Sequence, residues 1–208
     1  EELKDLSPEK RELLLKRLRD KRMAESHKKE GRPGTSIGRC DRSANLPLSF
    51  AQERLWFLHE LESQVSASAY NIPASYRLRG TLNVAALQQA LNEILRRHEA
   101  LRTTFAEEGG QPFQRINETL FLPLTIKEIT RYAKAGEQEQ EIMRIAAAFA
   151  REEFDLANGP LIRWSLLHLP QGNSADEHIL LITTHHIISD GWSSGIIVAE
   201  ASTLYEAY

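Results

Sequence analysis

Ile179-Leu180-Leu181-Ile182-Thr183-Thr184-His185-His186-Ile187-Ile188-Ser189-Asp190-Gly191 joins an apolar run to two adjacent histidines and then to an Asp-Gly pair. The run has strand length and reads as a buried strand. Imidazole is costly to bury unless its nitrogens find partners. Adjacent side chains on a strand point to opposite faces, so His185 and His186 cannot share one cleft without distortion. One faces a site and the other packs inside. Gly191 gives the backbone freedom to turn sharply, and a helix beginning there offers free N–H groups in its first turn. Three readings of the pair stand side by side. A histidine at this turn can serve as general base, its ordinary pKa being near 6.5. Asp190 would then orient the ring or form a buried ion pair that fixes the turn, and the spacing favours the ion pair. A zinc site needs three or more convergent ligands, and Asp190 is the only third ligand at hand. The last reading is two satisfied structural histidines.

Outward from this stretch, Gly191 to Tyr205 predicts the final helix, and Leu161 to Leu169 predicts a strand before the loop Pro170-Gln171-Gly172-Asn173-Ser174. Glu137 to Phe154 predicts a helix, broken by Asn158-Gly159-Pro160. Leu122 to Ile129 predicts a strand. Leu101 to Ala106 and Phe113 to Ile116 predict strands joined at Glu108-Gly109-Gly110-Gln111. Asn83 caps a helix to Arg97 in which Val84, Leu87, Leu91, Ile94 and Leu95 recur at helical spacing. Tyr76 to Arg79 alternates as a strand. Ser49 and Gln52 form a capping box for a helix with an apolar face of Phe50, Leu55, Trp56, Leu58 and Leu61. Strands mixed with helices, some joined by hairpins, predict an α/β sandwich with a mixed sheet.

The front of the chain differs. Residues 1–45 carry 13 Lys+Arg against 9 Asp+Glu, while the whole chain has a net charge of −3. Ser7 and Pro8 open a short amphipathic helix over 8–22, and residues 26–45 read as a linker. The predicted units are therefore 1–45, helix and linker, and 46–208, the folded domain. The basic excess is too mild for nucleic acid, and no apolar run approaches the roughly 20 residues that span a bilayer. The first residue is Glu1, with no signal-peptide pattern, so the chain reads as an excerpt of something longer. Cys40 is the only cysteine, which suits a cytoplasmic setting.

Three stretches together resemble the condensation domains of nonribosomal peptide synthetases: Leu48-Ser49-Phe50-Ala51-Gln52-Glu53-Arg54-Leu55-Trp56-Phe57, Arg97-His98-Glu99-Ala100-Leu101-Arg102-Thr103-Thr104-Phe105, and His185-His186-Ile187-Ile188-Ser189-Asp190-Gly191-Trp192-Ser193. The last is similar to the His-His-x-x-x-Asp-Gly signature. The resemblance runs from about Leu46 to Tyr208. It implies a chloramphenicol acetyltransferase-like sandwich lobe with a mixed, largely antiparallel sheet, here preceded by a short helix. Two such lobes would form a V around a tunnel, so this chain would be the N-terminal lobe without the C-terminal one. The implied reaction is amide bond formation between a donor acyl or peptidyl thioester and an acceptor aminoacyl thioester. The resemblance implies no directly bound cofactor: the substrates would ride on the 4'-phosphopantetheine arms of upstream and downstream peptidyl carrier domains, beside an adenylation domain, and residues 1–25 would dock a partner.

His186 would be the catalytic residue, as base or as the group that positions the amine. His185, Asp190 and Gly191 would form the scaffold, with Asp190 paired to Arg102 or, failing that, Arg97. Trp192 and Ser193 would line the substrate channel and, with Phe50-Ala51-Gln52, fit the subtype joining L-configured donor and acceptor. No metal is implied. The alternatives are a non-catalytic module that holds and gates carriers, or a stand-alone CoA- or carrier-dependent acyltransferase.

Overall fold

The computed structural model describes residues 45–61, 68–130, 135–170 and 177–208, all within the compact unit that begins at Ser43. The expected helix at 8–22, the docking segment 1–25, the linker as far as Ala44 and the loop after Pro170 lie outside the described residues. In chain order the elements are β1 (Leu46–Pro47), α1 (Phe50–Leu61), β2 (Asn71–Arg79), α2 (Val84–Arg97), β3 (Thr103–Glu108), β4 (Gln111–Ile116), β5 (Thr125–Glu128), α3 (Ala135–Arg151), β6 (Ile162–Leu169), β7 (Glu177–His185) and α4 (Gly191–Ala207).

The strands form two sheets, ordered β1-β4-β3 and β2-β7-β6-β5. All pairs are antiparallel except β5–β6. The expected mixed, largely antiparallel sheet is thus present, divided in two. Strand β7 lies inside the larger sheet and is buried from His178 to His185, which explains its uninterrupted apolar run. Leu180 and Ile182 on one face join Trp164 and Leu166 of β6 in a cluster with Leu91, Ile94 and Leu95 of α2 and Ile197 and Leu204 of α4. Ile179 and Leu181 on the other face pack with Leu167, Leu169 and the α3 residues Ile142 and Ile145. A third cluster, of Leu48, Phe105, Phe154, Leu156, Leu161 and Ile187, closes the end of the sheet where β7 finishes.

Three helix starts follow local chemistry. Asn83 accepts from Ala86 N at 3.2 Å. The Ser49–Gln52 capping box forms in both directions: Ser49 N donates to Gln52 Oε1 at 2.9 Å and Gln52 N donates to Ser49 Oγ at 3.3 Å. Asp190 caps α4. The β3–β4 turn has Gly109 and Gly110 at φ 59° and 80°, the left-handed pair that a two-residue hairpin demands.

Five expectations shift. Strand β2 begins at Asn71, five residues before the alternation at Tyr76, with Pro73 inside it. The strand is at the sheet edge, where a missing N–H is tolerated. Residues 99–102 form a 3-10 turn, closed by Leu101 N on His98 O at 3.0 Å, so β3 starts at Thr103. Residues 122–124 are not a strand. Asn92 on α2 accepts from Leu122 N at 2.8 Å and donates to Leu122 O at 2.9 Å, and Gln88 accepts from Leu124 N at 3.0 Å. Helix side chains supply the bonds that a neighbouring strand would. Helix α3 ends at Arg151 rather than 154. Its last carbonyls are taken by Arg163, which donates to Phe149 O at 2.8 Å, and by Asn71, which donates to Ala150 O at 2.8 Å. Phe50, expected on the apolar face of α1, is 91% exposed.

No helix among the described residues is long and apolar enough to cross a membrane.

Replacing Asn92 by Ala strips partners from the N–H and the C=O of Leu122 together. Urea unfolding should show a loss of about 1–3 kcal/mol. Asn92→Asp keeps the acceptor for Leu122 N but sets a carboxylate oxygen against Leu122 O and Gln88 O, so it should lose at least as much.

Candidate active site

The paired histidines sit where β7 leaves the sheet. Two backbone bonds hold the exit from opposite sides: His185 N donates to Leu161 O at 2.9 Å and His186 N to Tyr70 O at 2.8 Å. Ile188 N then donates to His185 O at 3.1 Å and closes a turn.

His185 is 1% exposed. Its Nδ1 accepts from Ile187 N at 3.1 Å, so in the neutral ring the proton resides on Nε2. Edge-on rings surround it, with centroids at 6.2 Å for Phe154, 6.3 Å for Tyr70 and 6.5 Å for His59. Burial, aided by the nearby His59 and His186 charges, pushes its pKa down to about 4. A neutral, packed imidazole can neither carry charge nor reach a substrate at neutral pH.

His186 is exposed. Its Nδ1 lies 3.0 Å from Ser189 O. A carbonyl only accepts, so Nδ1 carries the proton and Nε2 keeps a free lone pair. The strand has split the pair as alternation requires, one ring in and one ring out. The outward ring is held in the tautomer a general base needs.

Asp190 does not form the expected ion pair. It is exposed and caps α4: its Oδ1 accepts from Ser193 N at 2.8 Å and from Ser193 Oγ at 2.7 Å. These bonds hold its carboxyl below the ordinary carboxylate range. Arg102 instead donates to Glu99 Oε1 at 3.2 Å and to the Asn117 carbonyl. Arg97 donates to Glu93 at 2.8 Å and lies 3.9 Å from Glu200. Arg97 is bonded within α2 and Arg102 within the 3-10 turn and to the segment after β4, while the Ser193 N–H and hydroxyl in the first turn of α4 supply what the aspartate accepts.

Gly191 also departs from expectation. No positive φ occurs there, and an added Cβ would meet nothing within 4 Å. The turn is made by Asp190, extended at φ −133° and ψ −178°. Trp192 is 83% exposed beside the turn, while the Ser193 hydroxyl is committed to Asp190. Among the described residues no three His, Cys, Asp or Glu side chains converge as a metal site requires.

The structure brings three residues to the site that motif reading did not place there. Gln52 Nε2 lies 3.4 Å from Ile187 O and 3.3 Å from Gln114 Oε1. His59 and Tyr70 flank His185. Tyr70 precedes an alternation, Ile72, Ala74, Tyr76, Leu78, which was the available signal for a strand running up to the histidines.

Histidine NMR titration should find His185 protonating near pH 4, well below its unfolded value of about 6.5. The depressed folded pKa means that unfolded chain binds the proton first as pH falls. Stability present above pH 6.5 should therefore be lost progressively between pH 6.5 and 4, by up to about 3 kcal/mol. For Asp190 the cap predicts that Asn, an equally good capping residue, keeps the melting temperature. Ala should lower it by about 2–4 °C. A paired carboxylate would make Asn as harmful as Ala.

Comparison with known proteins fits this geometry. The Condensation domain family model matches residues 42–208. The chain is 45% identical over 175 residues to malpibaldin synthetase of Mortierella alpina, a match that covers 83% of this chain and 3% of that protein. The chain thus spans a small fraction of the curated relatives it matches. Among solved structures, the X-domain from teicoplanin biosynthesis superposes with a TM-score of 0.69 at 29% identity, over 82% of this chain and 34% of that one. The starter condensation domain of rhizomide synthetase RzmA has the same fold, with a TM-score of 0.66 at 24% identity over 79% and 38%. With its paired histidines at the end of a buried strand and its chloramphenicol acetyltransferase-like architecture, the chain belongs to the condensation-domain family.

Proposed function

We propose that this chain is the N-terminal lobe of a nonribosomal peptide synthetase condensation domain and supplies its base, His186. The observation that carries the reading is the His186 ring, exposed, with Nδ1–H held by Ser189 O and Nε2 free. The substrates are a donor acyl or peptidyl thioester and an acceptor aminoacyl thioester, each on the phosphopantetheine arm of a carrier domain. The acceptor nitrogen bonds to the thioester carbon and gives up a proton to Nε2. The C–S bond then breaks, and the proton passes to the departing thiolate. With Nδ1 already protonated, Nε2 is the ring's one basic atom, so the proton has one entry. His185 remains neutral throughout, which spares the site a second positive charge beside the imidazolium.

A second reading is a module that holds carriers without turnover; on that reading, carriers docked on these 208 residues should give no product. In the full-length parent domain with loaded carriers, His186→Ala should cut dipeptidyl transfer by about 100-fold or more. Undiminished turnover would remove His186 from the chemistry.

A further inference from the structure

The turn that carries His186 is tied to the rest of the molecule by a relay of two glutamines. Their amide orientations are fixed by their end partners. Ser49 N–H can only donate, so Gln52 must turn Oε1 to it, at 2.9 Å. Gln52 Nε2 is then left to face Ile187 O at 3.4 Å and Gln114 Oε1 at 3.3 Å. Pro47 O can only accept, so Gln114 turns Nε2 to it at 2.8 Å, which leaves Gln114 Oε1 for Gln52. The two ends agree on one arrangement. The relay runs from β1 through β4 and the first turn of α1 to the carbonyl of Ile187.

That carbonyl belongs to the peptide between Ile187 and Ile188. The N–H of the same peptide donates to His185 O at 3.1 Å. With both polar groups engaged, the peptide plane is set, and Ser189 follows directly. Ser189 O is the acceptor that holds His186 Nδ1–H. We propose that Gln52 is a positioning residue for His186: its amide fixes the 187–188 peptide, and through Ser189 O it fixes the orientation and tautomer of the imidazole. The relevance to catalysis rests on the function proposed above, whereas the effect on the ring does not.

The double duty of the side chain makes an isosteric test. As the third residue of a capping box, Gln52 serves α1 through Oε1, and glutamate serves that position as well. As a tether it needs the N–H₂ group, which glutamate lacks. Gln52→Glu therefore keeps the cap and the volume and turns a donor into a carboxylate facing two acceptors. A purely structural residue would tolerate the change.

The experiment is long-range 15N NMR of the histidine rings in this chain, wild type against Gln52→Glu and Gln52→Ala, with melting temperatures measured on the same samples. Wild type should show His186 predominantly as the Nδ1–H tautomer. Gln52→Glu should melt within about 2 °C of wild type and shift His186 towards the ordinary mixture, in which Nε2–H dominates. His185 should keep its Nε2–H form. In the full-length parent domain the same variant should lower kcat by about 10-fold with KM for the acceptor carrier little changed. His186 nitrogen shifts in Gln52→Glu identical to wild type would overturn the proposal. So would a loss of melting temperature as large in Gln52→Glu as in Gln52→Ala, because the cap alone would then explain the residue. If His186→Ala proves active while Gln52→Glu still shifts the tautomer, the catalytic reading fails and the positioning survives.

Discussion

The amides of His185 and His186 donate in opposite directions, to Leu161 O on the β6 side and to Tyr70 O on the β2 side. That double anchorage fixes where the central strand stops. Before it, β7 is enclosed on both faces and between two neighbours, which only a run of apolar residues and small hydroxyls can satisfy. After it, the chain turns within four residues into α4. The histidines inherit opposite fates from this one constraint. His185 is the last residue enclosed by the sheet and its neighbouring rings, so burial keeps it neutral. His186 is the first residue released, so its ring stands outside while its own turn supplies the acceptor for Nδ1.

The second motif serves the site at one remove. Arg97, His98 and Glu99 end α2 and start the 3-10 turn. Arg97 reaches Glu93, His98 Nε2 lies 3.0 Å from Glu200 on α4, and Arg102 spans Glu99 and the Asn117 carbonyl. Thr103 Oγ1 adds a bond to Glu99 O at 2.8 Å. His98, with Arg97 at 3.9 Å, ties the end of α2 to Glu200 of α4, the helix whose N-terminus Asp190 caps. Of the two arginines that resembled partners of Asp190, Arg97 lies towards that helix, while Arg102 fastens the 3-10 turn to the segment after β4. A capped, exposed aspartate also avoids the large desolvation cost of a buried ion pair.

Much of the fold was legible because periodicity and burial coincide. The β7 run, the Leu87–Leu91–Ile94–Leu95 stripe of α2 and the double-glycine hairpin each admit one physical solution. Elements were misread where a distant side chain replaced a local signal. Leu122 to Leu124 look like strand, yet Asn92 and Gln88 take their hydrogen bonds. Asn71 and Pro73 look like loop, yet an edge position makes both acceptable. At the site, alternation on a strand was enough to separate the two histidines. Nothing local could show that Asp190 would find its partners three residues ahead, since capping and ion pairing use the same carboxylate. Gln52 was visible as a cap from its spacing to Ser49, but its other end bonds a carbonyl 135 residues away, which no sequence window contains.

The antiparallel register around β7 has a mechanical side. Nine residue pairs join β7 to β2 and eight join it to β6. Force applied along the axis of β7 would load these pairs in shear, all at once, rather than peel them singly. Helix α4 has side-chain packing, its own ladder and scattered side-chain bonds, such as Glu200 with His98 and the Tyr205 hydroxyl with Asn83 N, to resist the same pull. Tension entering from the C-terminal side would therefore unwind α4 before it displaced His185, and the seat of the histidine pair would be among the last parts of the domain to yield.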